Sequence, residues 1–243
     1  MGARTLFAAI AALAMLAIPA SSPAQRSMHH GFAAPAARPH IAQRDWSQIA
    51  MRTPEGGIRI GNPAAPVKLV EYGSITCPHC AAFSGEAAAA LRTRHVRSGR
   101  VSWEYRPYLI FPTDPGLFML LNCLGPSRFF PAAEQLYASQ HIWVGRVQAL
   151  PGAELERMEA LAPNAQAAAL VHAAGLDAFF RARGLSQAQI DACLANHAAI
   201  ERLGAISQQA NQLGVQGTPT FFINGRSVGT QNWARLEPML AGG

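Results

Sequence analysis

Charge is scarce in this chain. Asp, Glu, Lys and Arg make up 14 % of its 243 residues, against roughly 25 % in an average globular protein. Lysine is almost missing: Lys68 is the only one, and arginine supplies the rest of the positive charge. Half the residues are apolar, and with so few charges that excludes a wholly disordered chain. After the N-terminal stretch no uncharged apolar run approaches the ~18 residues of a membrane span, which excludes a multi-span membrane protein. There are no internal repeats. Cysteine is sparse too, with four in total, Cys77, Cys80, Cys123 and Cys193. The length fits one domain, or one domain carrying a large insertion.

The N-terminus has the pattern of an export signal. Arg4 supplies a short positive region, Leu6 to Ala20 is uncharged and apolar, and Ser22 and Ala24 are the small residues that precede cleavage after Ala24. A signal peptide is therefore expected over 1–24. No cysteine follows the cleavage point, so lipid attachment there is excluded. All four cysteines lie in the exported part, where disulfides persist. Residues 25–57 read as a flexible leader, rich at first in Ala, Pro, His and Gln. His29, His30 and His40 lie in it with nothing rigid to hold them around a metal. The net charge of +6 does not point to nucleic acid, because the arginines are scattered. The densest run, Arg92, Arg94, Arg97 and Arg100 with His95, falls where a helix should end, and cations are favourable there.

The signals sharpen from Gly61, where Asn62-Pro63 and Ala65-Pro66 mark turns. Val67 to Tyr72 is a short apolar run suited to a buried strand. A helix is expected from the Cys77–Cys80 segment to about Arg97, ended by Ser98-Gly99. Val101 to Leu109 alternates and reads as a second strand. Strand, helix, strand over this length predicts a βαβ unit with parallel strands. Residues 111–197 are helical in character, with Pro and Gly dividing them into four or five short helices. A further helix is expected from about Ala198 to Leu213, with Gly214 following as its C-terminal cap. Thr220 to Ile223 and Arg226 to Gly229 read as strands joined by Asn224-Gly225, a strong two-residue hairpin signal. A last helix covers about Asn232 to Leu240. The fold class is α/β.

Cys77-Pro78-His79-Cys80 carries the chemistry. A C-x-x-C pair is a redox dithiol or half of a zinc site, and structural zinc needs four ligands. The second half is missing, since Cys123 and Cys193 are isolated from each other in sequence. No metal is expected. At i and i+3 across a first helical turn, two cysteines are close enough for a disulfide. Pro78 suits a helix start because its missing N–H would be unpaired there anyway. Cys77 then faces unpaired backbone N–H groups and the positive end of the helix dipole, which favour its thiolate. His79 adds a donor, or a positive charge when protonated. Cys77 is expected to be the solvent-facing sulfur that a substrate thiolate attacks, and Cys80, one turn in, the sulfur that leaves. Glu71 ends the preceding strand, where it either relays a proton for Cys80 or is an ordinary strand-end carboxylate. Pro219, in Gly217-Thr218-Pro219-Thr220, is either a simple strand-start proline or a cis proline. If it is cis and faces Cys77, the backbone of Thr218 is open to an extended peptide.

These residues together resemble the DsbA-like branch of the thioredoxin family, over about Ile58 to Met239. The resemblance is carried by Cys77-Pro78-His79-Cys80, by the Thr218-Pro219 step and by the interposed helical block. It implies a thioredoxin-like domain in two pieces, 58–110 and 198–243, with an inserted helical domain at 111–197. Glu71 stands where that family has a buried carboxylate. The resemblance implies a monomeric periplasmic thiol:disulfide oxidase without a cofactor, acting on reduced exported polypeptides and reoxidised by a membrane quinone-linked partner of the DsbB type. Thr218 departs from the Val of the best-known DsbA oxidases, and Thr there is common in disulfide isomerases. Isomerase or reductase activity is therefore the alternative within the superfamily, and a non-catalytic peptide-binding module the alternative outside it. Of the three pairings that four cysteines allow, Cys77–Cys80 as a redox-active disulfide with Cys123–Cys193 as a structural one is the favoured pairing.

Overall fold

The computed structural model describes residues 44–241. The signal-peptide reading of 1–24 and the three leader histidines lie outside those residues. A six-stranded mixed sheet runs β1 (Ala50–Arg52), β2 (Ile58–Ile60), β4 (Val101–Pro107), β3 (Val67–Gly73), β5 (Thr220–Ile223), β6 (Arg226–Gly229) in space. β3 and β4 are parallel and joined through helix α1 (Pro78–Ala90), with Leu69 opposite Trp103 and Glu71 opposite Tyr105. β5 lies antiparallel on the other side of β3, with Tyr72 opposite Thr220. This register places the Thr218-Pro219 step beside the end of β3, where α1 begins.

Several expectations change in detail. Residues 44–57 are not irregular: a 3-10 turn at Trp46–Gln48 and strand β1 occupy part of them, and β1 pairs with β2 on the edge of the sheet. Three-residue strands are too short to show an alternating pattern. α1 does not continue as an α-helix to Arg97; it widens into a π-helix over Leu91–Val96. The block between β4 and the last helices contains seven helices rather than four or five: α2 (Asp114–Leu124), α3 (Pro126–Ala138), α4 (Gln140–Gln148), α5 (Gly152–Glu159), α6 (Pro163–Ala173), α7 (Asp177–Arg181) and α8 (Gln187–Leu194). The break at Ser139 carries no Pro or Gly. Ser139 is shared between α3 and α4, and both its backbone N–H and its hydroxyl donate to the Gln135 carbonyl, at 3.2 and 2.9 Å.

Helix α9 (His197–Gln212) ends against Gly214, which has φ +82°. The β5–β6 hairpin turns at Asn224 (φ 50°) and Gly225 (φ 80°), both left-handed as a type I′ turn requires. Helix α10 (Trp233–Ala241) closes the described chain. The core is continuous from Val67, Leu69 and Phe83 into Leu117, Leu121, Phe129 and Leu136, so the helical block and the sheet bury their apolar faces against each other. The arginine run serves as ion-pair partners for other elements: Arg92 meets Glu134 at 2.6 Å, Arg97 meets Asp45 at 3.4 Å, and His95 and Arg94 both approach Glu237.

Candidate active site

Cys77 is the N-cap of α1, with φ −76° and ψ 122°, and Pro78 is the first helical residue. The backbone N–H groups of His79 and Cys80 therefore point at the Cys77 sulfur. The structure places both cysteines as unbonded thiols. The hydrogen bond from the Cys80 thiol, supported by those N–H groups against the opposing effect of burial, lowers Cys77 to about 5. Cys80 moves the other way, well above the ordinary thiol range, because it is buried and faces Cys77 and Glu71. The two sulfurs are thus unequal: one is held toward its anion, the other toward its protonated form.

Cys77 is less open than the sequence reading expects. It is 5 % exposed, and Cys80 is 0 % exposed. The Thr218-Pro219 step, a cis peptide, lies against Cys77, and the Cys77 thiol donates to the Thr218 carbonyl at 3.3 Å. Pro219 does not mark an edge strand, since β5 lies between β3 and β6. The Thr218 hydroxyl is buried without a hydrogen-bond partner of ordinary geometry. His79 is exposed, and what it brings to Cys77 is its backbone N–H rather than its ring.

Glu71 is 2 % exposed in the middle of β3, and Trp103 Nε1 donates to its Oε2 at 3.0 Å. Burial pushes its carboxyl up to about 8, against the opposing hydrogen bond from Trp103. Cys123 on α2 and Cys193 on α8 are joined in a disulfide between residues 70 apart in sequence. Among the described residues no group of three or more His, Cys, Asp or Glu side chains is placed to hold a metal.

The spacing of the cysteines does not reveal how the loop before them is held. Ser74, Ile75 and Thr76 are buried, so their polar groups need partners. Asp114, 0 % exposed at the start of α2, accepts from Thr76 N at 3.2 Å, from Thr76 Oγ1 and Ser74 Oγ at 3.0 Å, and from Ile110 N and Phe111 N at 2.9 and 3.1 Å. Burial raises the Asp114 carboxyl and these donors oppose that rise. Tyr137 of α3 donates to Ser74 O at 3.1 Å and meets the Tyr105 hydroxyl at 2.7 Å. Gln140 of α4 donates to Ile75 O at 2.8 Å and to Cys77 O at 3.0 Å. In sequence only Asp114 carries any signal, as an acid beside Pro115 at a helix start, and that signal says nothing of the loop it binds.

The family model described as Thioredoxin matches residues 53–241. Among solved structures, a protein-disulfide isomerase from Novosphingobium aromaticivorans is 34 % identical, with a TM-score of 0.71 over 75 % of this chain and 94 % of that one. Wolbachia pipientis alpha-DsbA1 is 17 % identical, with a TM-score of 0.62 over 79 % and 92 %. Chlamydia trachomatis DsbA is 16 % identical, with a TM-score of 0.53 over 75 % and 87 %. A Rickettsia bellii protein provisionally named a protein-disulfide oxidoreductase is 24 % identical over 83 residues, which are 34 % of this chain. That match spans about a third, 32 %, of the relative's own length. With a family model covering most of its length and a dithiol at the start of α1 beside a cis proline, the chain belongs to the thioredoxin family and has the fold of its DsbA-like members.

Proposed function

We propose that this chain is a thiol:disulfide oxidoreductase that donates a disulfide to reduced exported polypeptides. The observation that carries this reading is the opposite bias of the two thiols, Cys77 lowered to about 5 and Cys80 raised. A stable thiolate at Cys77 favours the reduced protein, so its disulfide is readily given away. Each ~1.4 kcal/mol of that preference corresponds to about 30 mV in a two-electron couple.

The exchange runs in two balanced steps. A substrate thiolate attacks Sγ of Cys77 in the Cys77–Cys80 disulfide, a substrate–Cys77 bond forms, and the Cys80 sulfur leaves with the electron pair of the broken bond. A second substrate thiolate then attacks its own sulfur in the mixed disulfide, and Cys77 leaves as the thiolate that its N–H groups stabilise. The substrate loses two electrons and the protein dithiol gains them. Cys80 needs a proton when it leaves, and Glu71, pushed up to about 8, can supply one near neutral pH. The backbone of Thr218 beside Cys77 is the pairing edge for an extended substrate segment. Reoxidation falls to a membrane quinone-linked partner of the DsbB type.

The N-terminal export pattern supports a periplasmic location, and no helix among the described residues is long and apolar enough to cross a membrane. The name of the Novosphingobium relative and the threonine before Pro219 favour a second reading, an isomerase that works from the reduced form. One pair of assays separates the two. Oxidised protein mixed with a reduced two-cysteine peptide should yield one peptide disulfide per protein, and Cys77→Ser should abolish the yield. Repair of scrambled disulfides by reduced protein, without net oxidation in the first assay, would establish the isomerase. Activity that survives Cys77→Ser would leave only a binding module.

A further inference from the structure

We infer that Gln140 is a positioning residue for the dithiol, holding the Cys77 peptide in place from the helical block. The inference rests on the reading of Cys77 as the reacting sulfur. Gln140 is the first residue of α4 and 9 % exposed. Its amide nitrogen spends one N–H on the carbonyl of Ile75, at 2.8 Å, and one on the carbonyl of Cys77 itself, at 3.0 Å. The Cys77 carbonyl also receives the N–H of Ala81, at 3.1 Å, which opens α1. Gln140 therefore grips the residue that joins the loop to the helix.

Its surroundings argue against a packing role. Gln140 lines a cavity of about 440 Å³ with Pro78, Trp143, Val144, Val147 and Leu170. His141 and Gln166 also line it, but a nearly buried amide is costly unless its donors are used, and both donors of Gln140 are used on the active-site loop. Asp114 and Tyr137 secure Ser74 and Thr76 just upstream, but neither hydrogen-bonds to Cys77. Gln140 alone of the three reaches the nucleophilic residue.

The chemical consequence falls unequally on the redox states. Hydrogen bonds to an anion are roughly twice as strong as neutral ones. Loosening the Cys77 peptide tilts its sulfur away from the N–H groups of His79 and Cys80, and the thiolate loses more from this than the disulfide does. The reduced form is therefore the one that Gln140 favours.

The test uses Gln140→Met, which keeps length and bulk without donors, and Gln140→Glu, which keeps the shape and replaces the amide by an acid. Three measurements are made on the full exported chain: the Cys77 thiolate by ultraviolet absorbance against pH, the glutathione redox equilibrium, and urea unfolding of both redox forms. A net hydrogen bond is worth a factor of about three to ten in an equilibrium. Both variants should weaken the Cys77 acid by about that factor, shift the glutathione equilibrium toward the disulfide by the same factor, and destabilise the reduced protein more than the oxidised one. Equal destabilisation of both forms, with the titration and the equilibrium unmoved, would overturn the inference and leave Gln140 a packing residue. If Gln140→Met does not fold, Gln140→Glu carries the test. If neither folds, the inference fails, because a positioning residue is one the fold can lose. A wild-type midpoint near about 8.5, the value of an unperturbed thiol, overturns the oxidase reading and this one together; a low wild-type midpoint that neither variant moves overturns this one alone.

Discussion

Glu71 and Cys77 stand a few residues apart and are pushed in opposite senses. Glu71 is raised by burial to about 8, above its value in an unfolded chain. Stability from such a group is fully present below the unfolded carboxyl value of about 4.3 and is lost as pH rises through about 8. Glu71→Gln, which keeps an acceptor for Trp103 Nε1 and has no charge to bury, should stabilise the protein at pH values near 8. The gain should be at most about 5 kcal/mol there, shrinking to little below about pH 4. Urea unfolding of wild type and variant across that range measures it, and parallel curves would remove Glu71 as the source. Cys77, Cys80 and Pro219 are legible in the sequence because their spacing and backbone chemistry are local. Gln140 and Asp114 are not, because the dithiol loop they hold lies at least 63 and 38 residues away from them, and nothing local to either residue points to that loop.

Among the elements, α2 is the pivot of the helical block. Gly116 packs α2 directly on α6: a Cβ there would meet Val171 Cγ2 at 2.6 Å and the Ala167 carbonyl at 2.7 Å. Backbone cannot step aside as a side chain can, so Gly116→Ala should cost about 1–3 kcal/mol by overpacking, visible as a lower urea midpoint. α2 is also tied to α8 by Cys123–Cys193. Replacing both cysteines by alanine removes a cross-link between residues 70 apart and should cost about 2–4 kcal/mol while the Cys77 titration stays where it was. A titration that moves with the double replacement would instead connect the distant disulfide to the dithiol. The strand and hairpin elements near the dithiol are readable from apolar runs and from Asn224-Gly225. The number of helices in the block is less so, because the break at Ser139 falls where the sequence has neither Pro nor Gly.

For the whole molecule, the redox state and the pH act on one quantity. Cys77 is depressed to about 5 in the folded reduced protein, below the about 8.5 of an unfolded thiol. Its contribution to the reduced form is therefore fully present above about pH 8.5 and lost as pH falls through about 5. Glu71 acts in both redox forms and largely cancels in their difference, and the raised Cys80 thiol acts only above the same window. The reduced protein should accordingly be more stable than the oxidised one near neutral pH, by on the order of 3 kcal/mol, with the lead closing toward about pH 5. Paired urea titrations of the two forms read this directly, and a lead that does not change with pH would mean that Cys77 is an ordinary thiol. By itself the sequence determined the chemistry and the order of parts: two sulfurs one helical turn apart, a proline before a strand, a βαβ unit and a helical interruption, all of which follow from short-range geometry and hydrophobic period. The tertiary structure alone decided how that chemistry is tuned. Setting the Thr218 carbonyl against Cys77, burying Glu71 against Trp103 and gripping the loop from Asp114, Tyr137 and Gln140 each join groups far apart along the chain, and burial and hydrogen-bond direction exist only once those segments have packed.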